Sequence, residues 1–226
     1  MKHGKKYEAA LKLIDKEKVY TIKEAVELIG KTSTTKFDSS VGLSFSLNIN
    51  TRAADQQIRG TVILPAGSGK TVRVLAITSK VEEAKAAGAD FAGGVELLEK
   101  IQNEKWFDFD VMCATPDMMA HIGKLGRVLG PKGLMPNPKT GTVGPDIAKM
   151  VGELKAGKVE YRADKDGNVN LAVGKVSFEP SKLEENANAV ISQILKVRPA
   201  SVKGVYVKSC HLSTTMGPSI KLNIVG

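Results

Sequence analysis

Two cysteines among 226 residues, Cys113 and Cys210, are too few for a disulfide framework, although one disulfide between them is possible on paper. Isolated thiols in a reducing compartment are the simpler expectation. Histidine is almost as scarce: His3, His121 and His211 are the only three. None stands near a serine-elbow or cysteine-nucleophile motif. Cys210-His211 is a neighbouring pair, but adjacent side chains on a strand point to opposite faces, and a metal site needs roughly four ligands. Asp108 and Asp110 lie two apart at a strand edge, where solvation explains them more simply than a metal ion does. No stretch approaches the ~18 uninterrupted apolar residues of a membrane-spanning helix. Met1 to Lys6 is basic but leads into Tyr7-Glu8-Ala9-Ala10, with no apolar signal core behind it. The expectation is a cytoplasmic protein that is not an enzyme, with no catalytic residues, no metal, no cofactor and no membrane partner.

Positive charge is what the chain has in excess, a net +9 with a pI near 9.4. Such an excess favours a polyanion, through phosphate contacts and counterion release. From Ser68 to Lys158 there are 13 Lys and Arg against 11 Asp and Glu, a net of +2, which leaves +7 in the flanking segments. The surplus therefore sits toward the two termini.

Periodicity changes character along the same divisions. The spacing of Tyr7, Ala10, Leu11 and Ile14 predicts a helix from about Lys5 to Lys18. Thr21-Ile22-Lys23-Glu24 has the form of a capping box that opens a second helix, with Gly30 to end it. Val41, Leu43, Phe45, Leu47 and Ile49 alternate with small or polar residues, which predicts a half-buried strand. In the middle, Val72 to Ile77 and Phe109 to Ala114 read as buried strands. Between them lie a helix capped by Ser79-Lys80-Val81-Glu82 and closed by Gly88, and another over Val95 to Glu104. Thr115-Pro116-Asp117 suits a further helix start. Strands alternating with helices indicate a three-layer unit with a mainly parallel sheet. After Gly157 the expectation is a hairpin of Val159–Arg162 with Val169–Val176, turning at Asp166-Gly167-Asn168. A helix then runs from Pro180 until Pro199 stops it, and strands over Val205–Leu212 and Ile220–Val225 finish the chain. The outer segments thus look α+β and the middle α/β, with switches at Pro65-Ala66-Gly67-Ser68-Gly69 and Ala156-Gly157. A single uninterrupted domain with surface turns at those points is the competing reading.

Gly67-Ser68-Gly69-Lys70-Thr71 invites comparison with a phosphate-binding loop, which needs a glycine five positions before the Gly-Lys pair and a helix after it. Leu64 stands where that glycine belongs, and strand-like residues follow. A hinge fits better. The densest signal runs from Gly123 to Val143, where five glycines, three prolines and four cations (Lys124, Arg127, Lys132 and Lys139) share 21 residues with Leu129, Leu134 and Met135. That composition suits an irregular, exposed contact loop able to engage several phosphates. A second signal, Ser213-Thr214-Thr215-Met216-Gly217-Pro218, brings hydroxyls for phosphate or ribose, a polarizable methionine, and a glycine that lets RNA approach the backbone. A plain hairpin turn explains it equally well. Lys36-Phe37 is a cation beside an aromatic that either stacks on RNA or anchors the core.

With the block from Gly123 to Val143, the Thr214–Pro218 turn and Lys36-Phe37-Asp38 in that order, the sequence resembles the L-one family of large-subunit ribosomal proteins over essentially its whole length. The resemblance implies an α/β protein of two domains: a discontinuous α+β RNA-binding domain from residues 1–67 and 159–226, and an inserted Rossmann-like domain over 68–158. It implies rRNA contacts at Lys36, Phe37, Ser209, Thr215, Met216 and Gly217, with Lys124, Arg127, Lys132 and Lys139 as a secondary set. It further implies large-subunit rRNA, exit-site tRNA and the message of the protein's own operon as partners, with the protein a monomer within the ribosome. A nonspecific basic RNA- or DNA-binding protein and, more remotely, a nucleotide-dependent enzyme are the competing classes.

Overall fold

The computed structural model describes residues 4–15 and 17–224. In chain order the elements are α1 (Lys5–Leu11), α2 (Ile22–Thr32), β1 (Ser40–Leu47), β2 (Arg59–Ile63), β3 (Val74–Ile77), α3 (Val81–Ala86), β4 (Phe91–Gly93), α4 (Val95–Glu104), β5 (Val111–Ala114), α5 (Met119–Lys124), α6 (Gly126–Leu129), α7 (Ile147–Lys155), β6 (Lys158–Arg162), β7 (Asn168–Lys175), α8 (Pro180–Lys196), β8 (Val207–Thr214) and β9 (Ser219–Leu222). Contacts divide the chain into two compact units, Met1–Gly69 with Val159–Gly226, and Lys70–Lys158.

The first unit is a four-stranded sheet of order β7-β1-β8-β9, antiparallel between each pair of neighbours. Burial alternates along β1, with Val41, Leu43, Phe45 and Leu47 turned into the core. They pack with Val26 and Ile29 of α2 and with Leu183, Val190 and Ile194 of α8. Each such side chain contributes about 1.5–3 kcal/mol by leaving water. The Thr21–Glu24 capping box forms: Thr21 Oγ1 accepts from the Glu24 N–H, and the Glu24 carboxylate accepts from the Thr21 N–H. Gly30 does not end α2, which continues to Thr32, whose buried hydroxyl donates to the Ile29 carbonyl. Helix α1 is shorter than its periodicity suggests. Past Leu11 the Leu13 and Ile14 N–H groups bond three residues back, and Ile14 drops into the core. Lys16 and Val225, which fall inside the expected first helix and last strand, lie outside the described residues. The expected hairpin of β6 with β7 is not made. Strand β6 pairs with β2, β7 pairs with β1, and a single Ala163–Val169 bridge links the two segments. The central strand β1 has an apolar face to bury and takes β7 as its neighbour.

In the second unit a parallel sheet of order β4-β3-β5 is covered on both faces. All four residues of β3 are buried for that reason. Val74 and Ala76 join Ala84 of α3 and Val151 of α7, while Leu75 and Ile77 join Leu98 of α4 and Ile122 of α5. The second expected capping box is absent. Lys80 is the N-cap of α3 and caps with no side-chain bond, and its own N–H donates to Thr78 Oγ1. Thr115 makes no cap either, although Pro116 does open the helical turn before α5. Strand β4, only three residues long, left no readable pattern in the sequence.

The Gly67–Thr71 segment is not a phosphate loop. Fully buried Asn186 accepts from the Ala66 N–H at 3.0 Å and donates to the Gly67 carbonyl at 3.0 Å and the Val173 carbonyl at 2.7 Å. Gly69 has φ +69°, and a β-carbon there would run into the side chains of Lys175 and Phe178. Lys70 Nζ lies 2.7 Å from Asp110, and Val72-Arg73 leads into β3 where a phosphate loop would start a helix.

Candidate nucleic-acid interface

The face of the first unit's sheet opposite the core carries almost no apolar side chains. Register places Ala172, Gly42, Ser213 and Ser219 in one row across it, Asn170, Ser44, His211 and Lys221 in the next, and Asn168, Ser46 and Ser209 in a third. These are the positions that alternate with the buried ones. Small hydroxyl and amide groups on a flat surface suit the ribose and phosphate of a nucleic acid strand. Ser40, Gly42, Ser44, Asn170 and Ser213 line a shallow depression of about 340 Å³ on this face. The sequence reading missed the strip because it followed only the apolar half of the β1 alternation. The polar half of the same period was the available signal.

At the end of the strip the β8–β9 turn meets the loop that enters β1. The Thr215 N–H donates to the Ser40 carbonyl at 3.1 Å, and the Ser40 N–H donates to Thr215 Oγ1 at 3.2 Å. Thr34 Oγ1 donates to the Met216 carbonyl, and Thr35 Oγ1 to the Phe37 carbonyl. Asp38 is pinned by the Ser177 N–H and hydroxyl, the latter at 2.8 Å. Within this frame Met216 adopts the left-handed conformation at φ +63°, which is uncommon for a residue with a side chain. Its side chain is thereby held outward, 75% exposed, and Phe37 nearby is 60% exposed. Phe37 is therefore not a core anchor. Gly217 is required by space: a β-carbon there would collide with Thr214 Oγ1 and crowd the Thr32 carbonyl.

Five of the six residues of the first expected set, Lys36, Phe37, Thr215, Met216 and Gly217, fall in these two adjoining segments. Ser209 stands apart, six residues before Thr215 on the same face, or roughly 20 Å along the strand. His211 between them is half-buried, and burial, then the Lys221 charge, lowers its pKa and favours the neutral ring.

The secondary set lies on a different kind of surface. The Gly123–Val143 block is not an open loop: it holds α6, a 3-10 turn over Pro138–Thr140, and a bridge from Val143 to Ala114. Leu129 is fully buried, Leu134 packs against the same core, and Met135 is the exposed one of the three. Asn137 accepts from the Lys139 N–H and takes the Thr140 and Thr142 hydroxyls on its carbonyl. Lys124, Arg127, Lys132 and Lys139 all remain exposed, but Lys132 Nζ rests 4.2 Å from the centre of the Phe107 ring.

The other candidate chemistries find different employment. Asp110 binds Lys70 and Arg73, and Asp108 accepts from the Trp106 indole. Cys113 and Cys210 are buried free thiols, each pushed up to about 12 by desolvation. Among the described residues no three of His, Cys, Asp and Glu gather as a metal site, and no helix is long and apolar enough to cross a membrane.

Known proteins resemble the chain over nearly its whole length. The chain is 59% identical over 222 residues to the large ribosomal subunit protein uL1 of Mycoplasma capricolum subsp. capricolum, covering 98% of each chain. It is 59% identical to the protein of that name from Mycoplasma mycoides subsp. mycoides, again over 98% of each, and 56% identical to that of Mesoplasma florum, over 99% of each. Residues 29–218, which include both the Phe37 loop and the Thr214–Pro218 turn, match the sequence profile of the ribosomal protein L1p/L10e family, and the chain belongs to that family of ribosomal, non-enzymatic proteins.

Proposed function

We propose that the chain is a structural protein of the cytoplasmic large ribosomal subunit that grips large-subunit rRNA at the mobile stalk with the Phe37–Met216 face. One observation carries this reading: two large apolar side chains stand in water on a hydrogen-bonded frame, at the end of a polar sheet strip. Such a frame supports stacking and van der Waals contact with bases and sugars, while the strip and Lys36 serve ribose and phosphate. Recognition rests in residues 1–67 and 159–226, which hold the larger share of the positive charge. The inserted residues 68–158 add a secondary contact through Lys124, Arg127, Lys132 and Lys139.

Family membership supports two further roles for a single copy of the protein in the ribosome: movement of the stalk with departing exit-site tRNA, and repression of the message of its own operon. One surface that reads a local RNA fold binds any RNA presenting it. Feedback then works if rRNA binds more tightly than the message, and about 1.4 kcal/mol gives a tenfold preference. Competition binding of a stalk rRNA transcript, an operon-message transcript and a random duplex at moderate salt tests the reading. The expected order is stalk, message, then duplex. Equal affinity for stalk and duplex would make the protein a nonspecific basic binder instead.

A further inference from the structure

The open sheet face does not stop at β8. Lys221 of β9 pairs in register with His211 and carries the Asn170–Ser44–His211 row to the edge of the sheet. There α1 rises beside the strands and turns the flat strip into a cleft of about 280 Å³. Tyr7, Leu11 and Asp15 line one side, His211, Ser219 and Lys221 the other. This is close to the lower end of volumes that take a small organic molecule, about 300–1,000 Å³. That is the scale of a single base with part of its sugar.

The lining is chemically mixed in a way that the rest of the face is not. Tyr7 brings an aromatic ring and Leu11 an apolar wall. His211, neutral when burial disfavours its charged form, offers one donor and one acceptor. Asp15 Oδ1 accepts from the Glu17 N–H, and the carboxylate keeps further acceptor capacity for an amino group. Lys221 is exposed and makes no ion pair among the described residues. A ring, a hydrogen-bonding edge and a cation are what a base, its polar rim and its phosphate need.

We infer that this cleft takes one unpaired nucleotide of the RNA that lies on the strip, with its base between Tyr7 and His211 and its phosphate on Lys221. The inference rests on the RNA-face reading above. A base bearing an amino group is favoured, because Asp15 accepts hydrogen bonds and donates none.

The test titrates a stalk rRNA transcript with the full chain and with Tyr7→Leu, Lys221→Gln and Met216→Asp over a series of salt concentrations. Tyr7→Leu keeps an apolar side chain on α1 and removes the ring, so Kd rises about tenfold. Lys221→Gln, at an exposed strand position, reduces the salt slope by about one phosphate and raises Kd. Footprinting shows the same single-stranded nucleotide losing protection in both variants. An unchanged Kd and salt slope in Lys221→Gln overturns the inference, and so does a loss confined to Tyr7→Leu, which would mark a purely structural role for α1. If Met216→Asp alone loses binding, the cleft falls and the RNA face stands; if none of the three does, both fall.

Discussion

The Thr214–Pro218 turn and the Gly123–Val143 block each carry glycine, proline, threonine and methionine, and they use these residues to opposite ends. In the turn, two segments distant in sequence are tied together so that Phe37 and Met216 stay out in water. In the block, the chain folds back so that Leu125, Leu129 and Thr140 go in. Gly217 is a glycine because Thr214 fills the space its side chain would need. The block's backbone is instead organised around Asn137, whose side chain and carbonyl gather the residues that follow it. Density of unusual residues therefore does not mark an interface. Apolar surface kept exposed on a hydrogen-bonded frame is the better guide to one, because folding alone tends to bury it.

The contrast is broken most directly by two substitutions with crossed outcomes. Leu129→Ala empties a fully buried site and lowers stability by about 2–5 kcal/mol, read as a lower melting temperature or denaturant midpoint. Its stalk RNA affinity, measured below the transition, stays at the parent value. Met216→Gly behaves in reverse. Relief of the left-handed backbone stabilises the first unit by up to about 1 kcal/mol. Loss of the side chain and a looser turn nevertheless weaken RNA binding by about 1–3 kcal/mol. If Met216→Gly binds RNA as well as the parent, the exposed methionine is incidental.

What was legible in the sequence follows the range of the forces involved. The Thr21–Glu24 box and the limits of α4 were readable because capping and helical period act within a few residues. The β1 alternation was readable because one face is buried whatever its neighbours are. Ser79-Glu82 has the same local form as Thr21-Glu24, yet Thr78 supplies the hydroxyl that binds the Lys80 N–H, and the helix starts without a cap. That contest depends on where β3 ends. The β6–β7 hairpin failed for a related reason, since pairing is chosen by the whole sheet and not by the turn between two strands. Of the candidate site, whose residues the family resemblance named, the Phe37 loop and the turn stood out by composition only as segments that a core anchor and a plain hairpin explained equally well. The serine and asparagine strip did not, because its polar residues acquire a shared surface only when β7, β1 and β8 are set side by side.

A smaller effect separates charge used for folding from charge left for a partner. The Lys70 ammonium, with help from the Arg73 N–H, pulls the Asp110 carboxyl from 3.8 down to about 2. A depressed acid contributes stability above its unfolded pKa and loses it as pH falls through the folded one. Asp110→Asn therefore costs about 1 kcal/mol at neutral pH, kept modest because Lys70 is largely in solvent. The gap between variant and parent narrows between pH 3.8 and about 2. A gap that stays constant to the acid limit would show that the pair's hydrogen-bond geometry, and not its charge, is what matters. RNA affinity at neutral pH should not move.

The smallest effects sharpen the same division among the exposed cations. Lys36 stands beside Phe37 on the exposed frame, with no side-chain ion pair among the described residues. Lys36→Ala should lower the salt slope of stalk RNA binding by about one phosphate while costing less affinity than the turn substitutions. Lys139 and Lys132 allow the comparison within the block. The Lys139 backbone N–H is held by Asn137, but its ammonium is left to solvent. The Lys132 ammonium sits over Phe107, an attraction of about 0.5–1 kcal/mol at an exposed site. That attraction must be given up before Lys132 reaches a phosphate. Lys139→Ala should thus reduce the salt slope by a fraction of a phosphate, whereas Lys132→Ala should reduce it by less and slightly lower stability. Equal changes in slope for the two would mean that the Phe107 contact yields to RNA, and that the block is as open to a partner as the turn.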